Sequence, residues 1–190
     1  MGMNVKLKIP TNLNDITVGQ YQKIRALLSN ENLEGETLDN EILKIVLNFD
    51  NVDAISVKDK KEITTDIREA LEREGEFKNT FTLNGVEFGL IPNFDRITNG
   101  EYTDLIKYSK EEEDLHRLLA VAYRPITKKD SFDNYLVEDY KGTSEHADTM
   151  KNLPMSIANG VVGFFLTLSN DLEAHIQKSM EEERVKAMML

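Results

Sequence analysis

The residues that most often carry catalysis or bind metals are few in this chain of 190 residues and lie far apart in the sequence. There is no Cys, which excludes a thiolate zinc site and a cysteine nucleophile. The three histidines, His116, His146 and His175, share no i, i+4 helix face, and no serine lies in a G-x-S-x-G motif. The sequence therefore predicts no catalytic residue, no cofactor and no bound metal.

The densest group of potential metal ligands is the acidic run from Glu111 to Asp114, which precedes His116. Carboxylates and an imidazole can bind a metal together. The same charges also suit the N-terminal end of a helix, where they interact favourably with the helix dipole. We interpret the run as the solvated start of a helix.

Two glycines, Gly19 and Gly100, each fall in the first turn of a predicted helix. Free N–H groups at a helix start can bind an anion. Neither glycine belongs to a phosphate-binding loop with a lysine or to a G-x-G-x-x-G motif. We therefore expect both glycines to serve close packing against a neighbouring segment.

Charge and composition exclude further classes of protein. Thirty-four acidic residues against 23 basic ones give a net charge of −11, which disfavours binding to nucleic acid or to a membrane surface. Apolar residues make up 40% of the chain, enough for a folded core. The most apolar stretch, residues 155–168, is shorter than the roughly 20 residues of a membrane span. We expect a cytoplasmic protein.

The elements that would position these residues are mostly helical. Apolar and charged residues alternate over Val5–Ile9, which predicts a strand, and Asn84-Gly85 between two alternating runs predicts a β-hairpin with a type I′ turn. The segment from Ile126 to Tyr140 is predicted as a loop or an irregular hairpin. We expect one α+β, predominantly helical domain over residues 1–190. Helical spacing predicts helices at 16–28, 37–48, 57–73, 99–108, 115–123, 144–152 and 154–186.

The chain contains an internal repeat at an offset of 81 residues. Residues 5–21 and 86–102 align without gaps and are identical at six of seventeen positions. Thr17 and Thr98 are N-cap candidates, and Gln20 and Glu101 would complete capping boxes three residues later. The requirements of helix capping alone could account for several of the identical residues. We interpret the match as two related strand-helix-helix units, at about 5–75 and 86–126.

The last predicted helix is apolar around most of its circumference, which indicates a central position in the core or burial by a partner. Gly160 and Gly163 lie three residues apart, and we expect this face to pack against another helix. Past Leu172 the helix becomes charged, but a thin apolar stripe continues to the end of the chain. This stripe provides the candidate partner-binding residues, which are Ile176, Met180, Met188, Met189 and Leu190.

Four segments make the chain resemble small acidic proteins encoded among the structural genes of tailed bacteriophages. They read ITVGQYQKI, FGLIPNFDRITNGEY, LHRLLAVAYRPI and YKGTSEHADTMKNLPMSIANGVVGFFLTLSNDL. The resemblance covers Ile16 to Leu172. It implies a non-enzymatic virion-assembly protein, most simply a tail or baseplate assembly chaperone that binds other phage structural proteins in the host cytoplasm.

The resemblance leaves a second function open. The chain could instead be a structural component of the virion, such as a head–tail connector, a ring or a capsid accessory protein. Either function relies on protein–protein interaction, and either allows a homo-oligomer.

Overall fold

The computed structural model describes residues 8–73 and 75–165. The fold is α+β and dominated by helices, which confirms the predicted fold class. The α-helices are α1 (Val18–Leu28), α2 (Gly35–Leu47), α3 (Val57–Leu71), α4 (Asn99–Tyr108), α5 (Leu115–Ala122), α6 (Ala147–Met150) and α7 (155–165), and the strands are β1 (Thr80–Leu83), β2 (Val86–Leu90), β3 (Tyr123–Lys129) and β4 (Tyr135–Val137).

The four strands form one antiparallel sheet in the order β1-β2-β3-β4. Leu83 pairs with Val86 across the first hairpin. The two residues between them, Asn84 and Gly85, have φ angles of 51° and 81°, the positive values that a type I′ turn requires. The predicted hairpin is therefore confirmed.

The third strand replaces the end of a predicted helix. Helix α5 ends at Ala122, and the chain enters β3 directly at Tyr123, which is fully buried. The Tyr123 hydroxyl donates to the carbonyl of Lys78 at 2.6 Å, so burial of this side chain is compensated by a hydrogen bond. For residues 126–140 the sequence left a loop or an irregular hairpin open, and the structure shows the irregular hairpin, because β3 and β4 pair antiparallel with a register shift between Ile126 and Lys128.

Both predicted capping boxes are present. The Thr17 Oγ1 accepts from the N–H of Gln20 at 3.2 Å, and the Gln20 Oε1 accepts from the N–H of Thr17 at 3.0 Å. The Thr98 Oγ1 accepts from the N–H of Glu101 at 3.2 Å, and a Glu101 carboxylate oxygen accepts from the N–H of Thr98 at 2.6 Å. The start of α1 and the start of α4 are therefore fixed in the same way.

The two aligned stretches are also locally similar just before these caps, while their origin as two related units stays a prediction. Short 3-10 turns occupy Leu13–Asp15 and Phe94–Arg96, again 81 residues apart. The strands predicted before these turns differ between the two stretches. Val86–Leu90 forms β2, but Lys8 and Ile9 lie outside any strand, so the predicted first strand was wrong at that end. Residues 5–7 lie outside the described part of the chain.

We expect the two capping threonines to contribute similarly to stability. Replacing Thr17 or Thr98 with alanine should lower the free energy of unfolding by about 0.5–2 kcal/mol, because each change leaves an N–H group at a helix start without its acceptor. Thr65 provides a control, because its hydroxyl donates to the carbonyl of Lys61 on the exposed face of α3 and caps no helix start. Urea denaturation should show no comparable loss for Thr65→Ala. Unchanged midpoints at both caps would contradict the assignment.

The core has two clusters of buried apolar side chains. One belongs to α1, α2 and α3 and includes Ile24, Leu43 and Ile67. The other joins the sheet to α5, α6 and α7. Tyr21 and Leu71 pack against both clusters, which places α1 and the end of α3 between them. None of the helices in the described ranges is long and apolar enough to cross a membrane.

Helix α7 packs against an extended segment rather than against another helix. A Cβ atom added at Gly160 would lie 2.4 Å from the carbonyl carbon of Glu76 and 2.5 Å from the nitrogen of Phe77. The N–H of Glu76 donates to the carbonyl of Ser156 at 2.9 Å. Gly163 is exposed, and nothing lies within 4 Å of a Cβ added there. The expected helix–helix contact was therefore wrong, because the glycine accommodates a backbone that crosses it.

Candidate binding surfaces

A groove lined by aromatic rings lies between α7 and the end of β2. We call it the aromatic groove and define it by Phe77, Phe94 and Phe164. The rings of Phe77 and Phe164 stack with centroids 4.8 Å apart, and Phe94 lies 6.0 Å from Phe164. The groove encloses about 430 Å³, and its other lining residues include Ile91, Pro92 and Tyr135.

The backbone contact at Gly160 positions this groove. Gly75 and Gly160 approach so closely that a Cβ at Gly75 would lie 2.3 Å from the Gly160 nitrogen. Phe77 follows two residues after Gly75 and Phe164 lies one helical turn after Gly160, so the contact brings the two rings together. Phe77 nevertheless keeps 40% of its surface exposed. An apolar ring fixed in this way can contact another molecule without rearrangement of the fold.

A second cavity, of about 350 Å³, lies between α1, α7 and the connection from α4 to α5. Its apolar wall includes Leu118, Val162 and Phe165, and its rim carries Glu111 and Glu112. The hydroxyl of Tyr21 donates to Glu112 at 3.3 Å. Burial, reinforced by the Glu112 charge, raises the pKa of Tyr21, so this phenol stays protonated at neutral pH and acts as a hydrogen-bond donor.

The acidic run beside this cavity interacts with the protein itself. Glu112 forms an ion pair with Arg25. The side-chain amide of Gln22 donates to the carbonyls of Glu112 and Glu113 at 3.0 and 2.7 Å. The run precedes α5, so its interpretation as the start of a helix is confirmed. Its contacts join the start of α5 to α1.

The two helix starts that carry glycine differ in their surroundings. The N–H of Gly19 donates to the carbonyl of Lys151 at 2.8 Å, and the N–H of Val18 donates to the carbonyl of Leu153 at 2.9 Å. A Cβ at Gly19 would lie 3.2 Å from Lys151, whereas the nearest atom to a Cβ at Gly100 is 3.8 Å away. Close packing explains why glycine occupies position 19, as predicted. It does not explain the glycine at position 100.

A buried polar network supports the second capping box. Arg124 lies 2.6 Å from the carboxylate of Glu101, and both side chains are less than a tenth exposed. The guanidinium also lies over the ring of Tyr140, 5.6 Å from its centroid. The Tyr140 hydroxyl donates to Asp104, and burial together with this bond raises the pKa of Tyr140. The sequence predicted Glu101 as the residue that completes the capping box, but it did not predict the ion pair with Arg124.

The histidines of the described part lie in different surroundings. Nδ1 of His116 lies 3.1 Å from the side-chain amide of Gln22, and burial lowers the pKa of His116. Nε2 of His146 contacts the carboxylate of Glu138, with Glu145 close by. Sequence reasoning did not connect Glu138 with His146.

The candidate partner-binding residues Ile176, Met180, Met188, Met189 and Leu190 lie outside the described residues, as does His175. Their role in partner binding therefore stays a prediction.

Comparison with known proteins gave no relative. No protein-family model matches the chain, and no curated protein or solved structure matches it either.

Proposed function

We propose that this chain is a non-enzymatic protein of bacteriophage particle assembly that acts as a tail or baseplate assembly chaperone. In this role it binds an unassembled phage structural protein in the host cytoplasm and covers an apolar segment of that partner. The phage class rests on the sequence resemblance of residues 16–172 to phage proteins of this kind. The observation that supports a binding role is the aromatic groove, with the partly exposed ring of Phe77 at its side.

The groove suits an apolar segment that later enters an assembled interface. Its aromatic rings offer a large apolar contact area with little loss of side-chain freedom, because each ring is already packed against another. The overall charge of −11 favours solubility while this surface stays open. The partner segment is therefore expected to be apolar, and its flanks are expected to be neutral or basic.

We expect the chain to keep such a partner soluble when both are produced together. The test is co-expression with individual tail and baseplate proteins of the phage that encodes the chain, followed by measurement of the soluble fraction and of co-purification. Phe77→Ser should reduce both, because it removes the exposed ring of the groove. Leu136→Ser is the matched control, since Leu136 is 57% exposed on β4 and lies outside the groove.

Circular dichroism should first show that both variants fold. Equal soluble yields of every tail and baseplate protein with and without the chain would contradict the chaperone function. A loss with Leu136→Ser equal to that with Phe77→Ser would place the binding surface elsewhere.

A further inference from the structure

Three potential metal ligands converge where the end of the sheet meets the start of α6. Glu138 follows β4 directly, whereas Glu145 and His146 immediately precede α6. One ligand atom from each of the three lies within 4.8 Å of the others. We propose that Glu138, Glu145 and His146 form a binding site for a divalent transition-metal ion, with Zn²⁺ as the ion best suited to the ligand set.

The geometry needs little change to hold such an ion. Nε2 of His146 already contacts Oε1 of Glu138. In a tetrahedral zinc site the bonds to nitrogen and to carboxylate oxygen are about 2.0–2.2 Å long, so neighbouring ligand atoms lie about 3.4 Å apart. Small side-chain rotations would open the contact between His146 and Glu138 and bring in Glu145. The ion would then take the place of the direct contact between the imidazole and the carboxylate.

A buried ring holds the imidazole of His146, and a backbone hydrogen bond holds the main chain at Glu138. The ring of His146 packs edge-on against Phe88, with centroids 5.7 Å apart, and Phe88 is only 1% exposed. The N–H of Glu138 donates to the carbonyl of Pro125 in β3 at 3.0 Å. The side chains of His146 and Glu138 are 17% and 29% exposed. The imidazole ring and the main chain of Glu138 are therefore held in place before any ion binds, which lowers the cost of binding.

The local charge also favours a cation. Within the described residues, neither Glu138 nor Glu145 forms an ion pair with a lysine or an arginine, and the imidazole beside Glu138 is charged only when it is protonated. Nearby acidic residues are different, because Asp114 pairs with Arg117 and Asp148 pairs with Lys151. The two carboxylates thus lack the fixed positive charge that a divalent ion would supply.

The ligand types determine the class of ion. An imidazole nitrogen favours Zn²⁺ and its first-row neighbours, whereas Mg²⁺ and Ca²⁺ prefer sites made of oxygen alone. Three protein ligands leave a fourth position for water. The ion would tie the end of β4 to the start of α6 across the loop between them. This structural role is separate from the aromatic groove and goes beyond the assembly function proposed above.

The experiment measures Zn²⁺ binding by titration calorimetry after treatment of the full chain with a chelator, and Co²⁺ binding by visible absorption. We expect one bound ion per chain and a rise in melting temperature with Zn²⁺. His146→Ala and Glu145→Gln should each weaken binding by about tenfold or more. Asp139→Asn is the matched control, since Asp139 is an exposed carboxylate outside the cluster, and it should leave the affinity unchanged.

Glu145 is exposed, so Glu145→Gln tests the ligand set even if His146→Ala fails to fold. Absence of Zn²⁺ and Co²⁺ binding to the wild-type chain would overturn the proposal and leave a simple ion pair between His146 and Glu138. Binding that survives unchanged in both His146→Ala and Glu145→Gln would also overturn it.

Discussion

Replacing Gly160 with leucine is expected to prevent folding or to lower the free energy of unfolding by about 3 kcal/mol or more, the upper end of overpacking costs. A Cβ at this position would lie 2.4 Å from the carbonyl carbon of Glu76 and 2.5 Å from its oxygen. Both atoms belong to the backbone, so they cannot move aside as a flexible side chain would. The crossing segment would have to separate from α7, and the hydrogen bond from Glu76 to Ser156 would be lost.

Gly163 provides the matched control for this experiment. It lies in the same helix, it is exposed, and nothing approaches within 4 Å of a Cβ added there. Gly163→Ala should therefore stabilise the chain by up to about 1 kcal/mol through its higher helix propensity. Urea denaturation and the yield of soluble protein measure both effects. Equal tolerance of Gly160→Leu and Gly163→Ala would show that the close approach of Gly75 and Gly160 does not form.

The second large effect is expected at the buried pair of Arg124 and Glu101. Arg124→Met should cost about 3–5 kcal/mol, because it leaves the Glu101 carboxylate buried without its cation. Glu101→Gln in the same chain should recover most of that loss, since an amide needs no cation. Gln20 already takes the equivalent place in the first capping box, so glutamine is compatible with the cap at this position.

An exposed ion pair provides the comparison for this pair of substitutions. Arg68 lies 2.9 Å from Asp39, and its side chain is 61% exposed. Arg68→Met should cost at most about 1 kcal/mol, because water already screens this interaction. The free energies of unfolding of the single and double variants measure the coupling between Arg124 and Glu101. A loss at Arg124 no larger than that at Arg68 would show that the buried pair adds little to stability.

Features that depend on neighbouring residues could be predicted from the sequence. A capping box needs only a threonine and a glutamine or glutamate three residues later, and a type I′ turn needs only Asn-Gly. Thr17, Thr98 and the Asn84-Gly85 turn were therefore predicted correctly. Helix α4 was also predicted with its observed bounds, because its cap and its apolar spacing lie within one short segment.

Features that join distant parts of the chain could not be predicted in this way. The glycine periodicity of α7 indicated a close approach, but a partner 85 residues earlier, at Gly75, leaves no local signal. The conversion of Tyr123 from the end of a helix to the start of a strand depends on pairing with Leu90, which lies in another hairpin. Arg124 in β3 and Glu101 in α4 are likewise brought together only by the tertiary structure. Tertiary contacts of this kind override local propensity.

The assembly function is tested most directly by following the chain through infection with the phage that encodes it. Quantitative mass spectrometry of size-fractionated lysates and of purified particles measures where the chain is found. We expect it in complexes with an unassembled tail or baseplate protein, and we expect it to be absent from the finished particles. Presence in particles at a fixed copy number would favour the structural alternative. If the chain is found in no complex with any phage protein at any stage of infection, the account is contradicted.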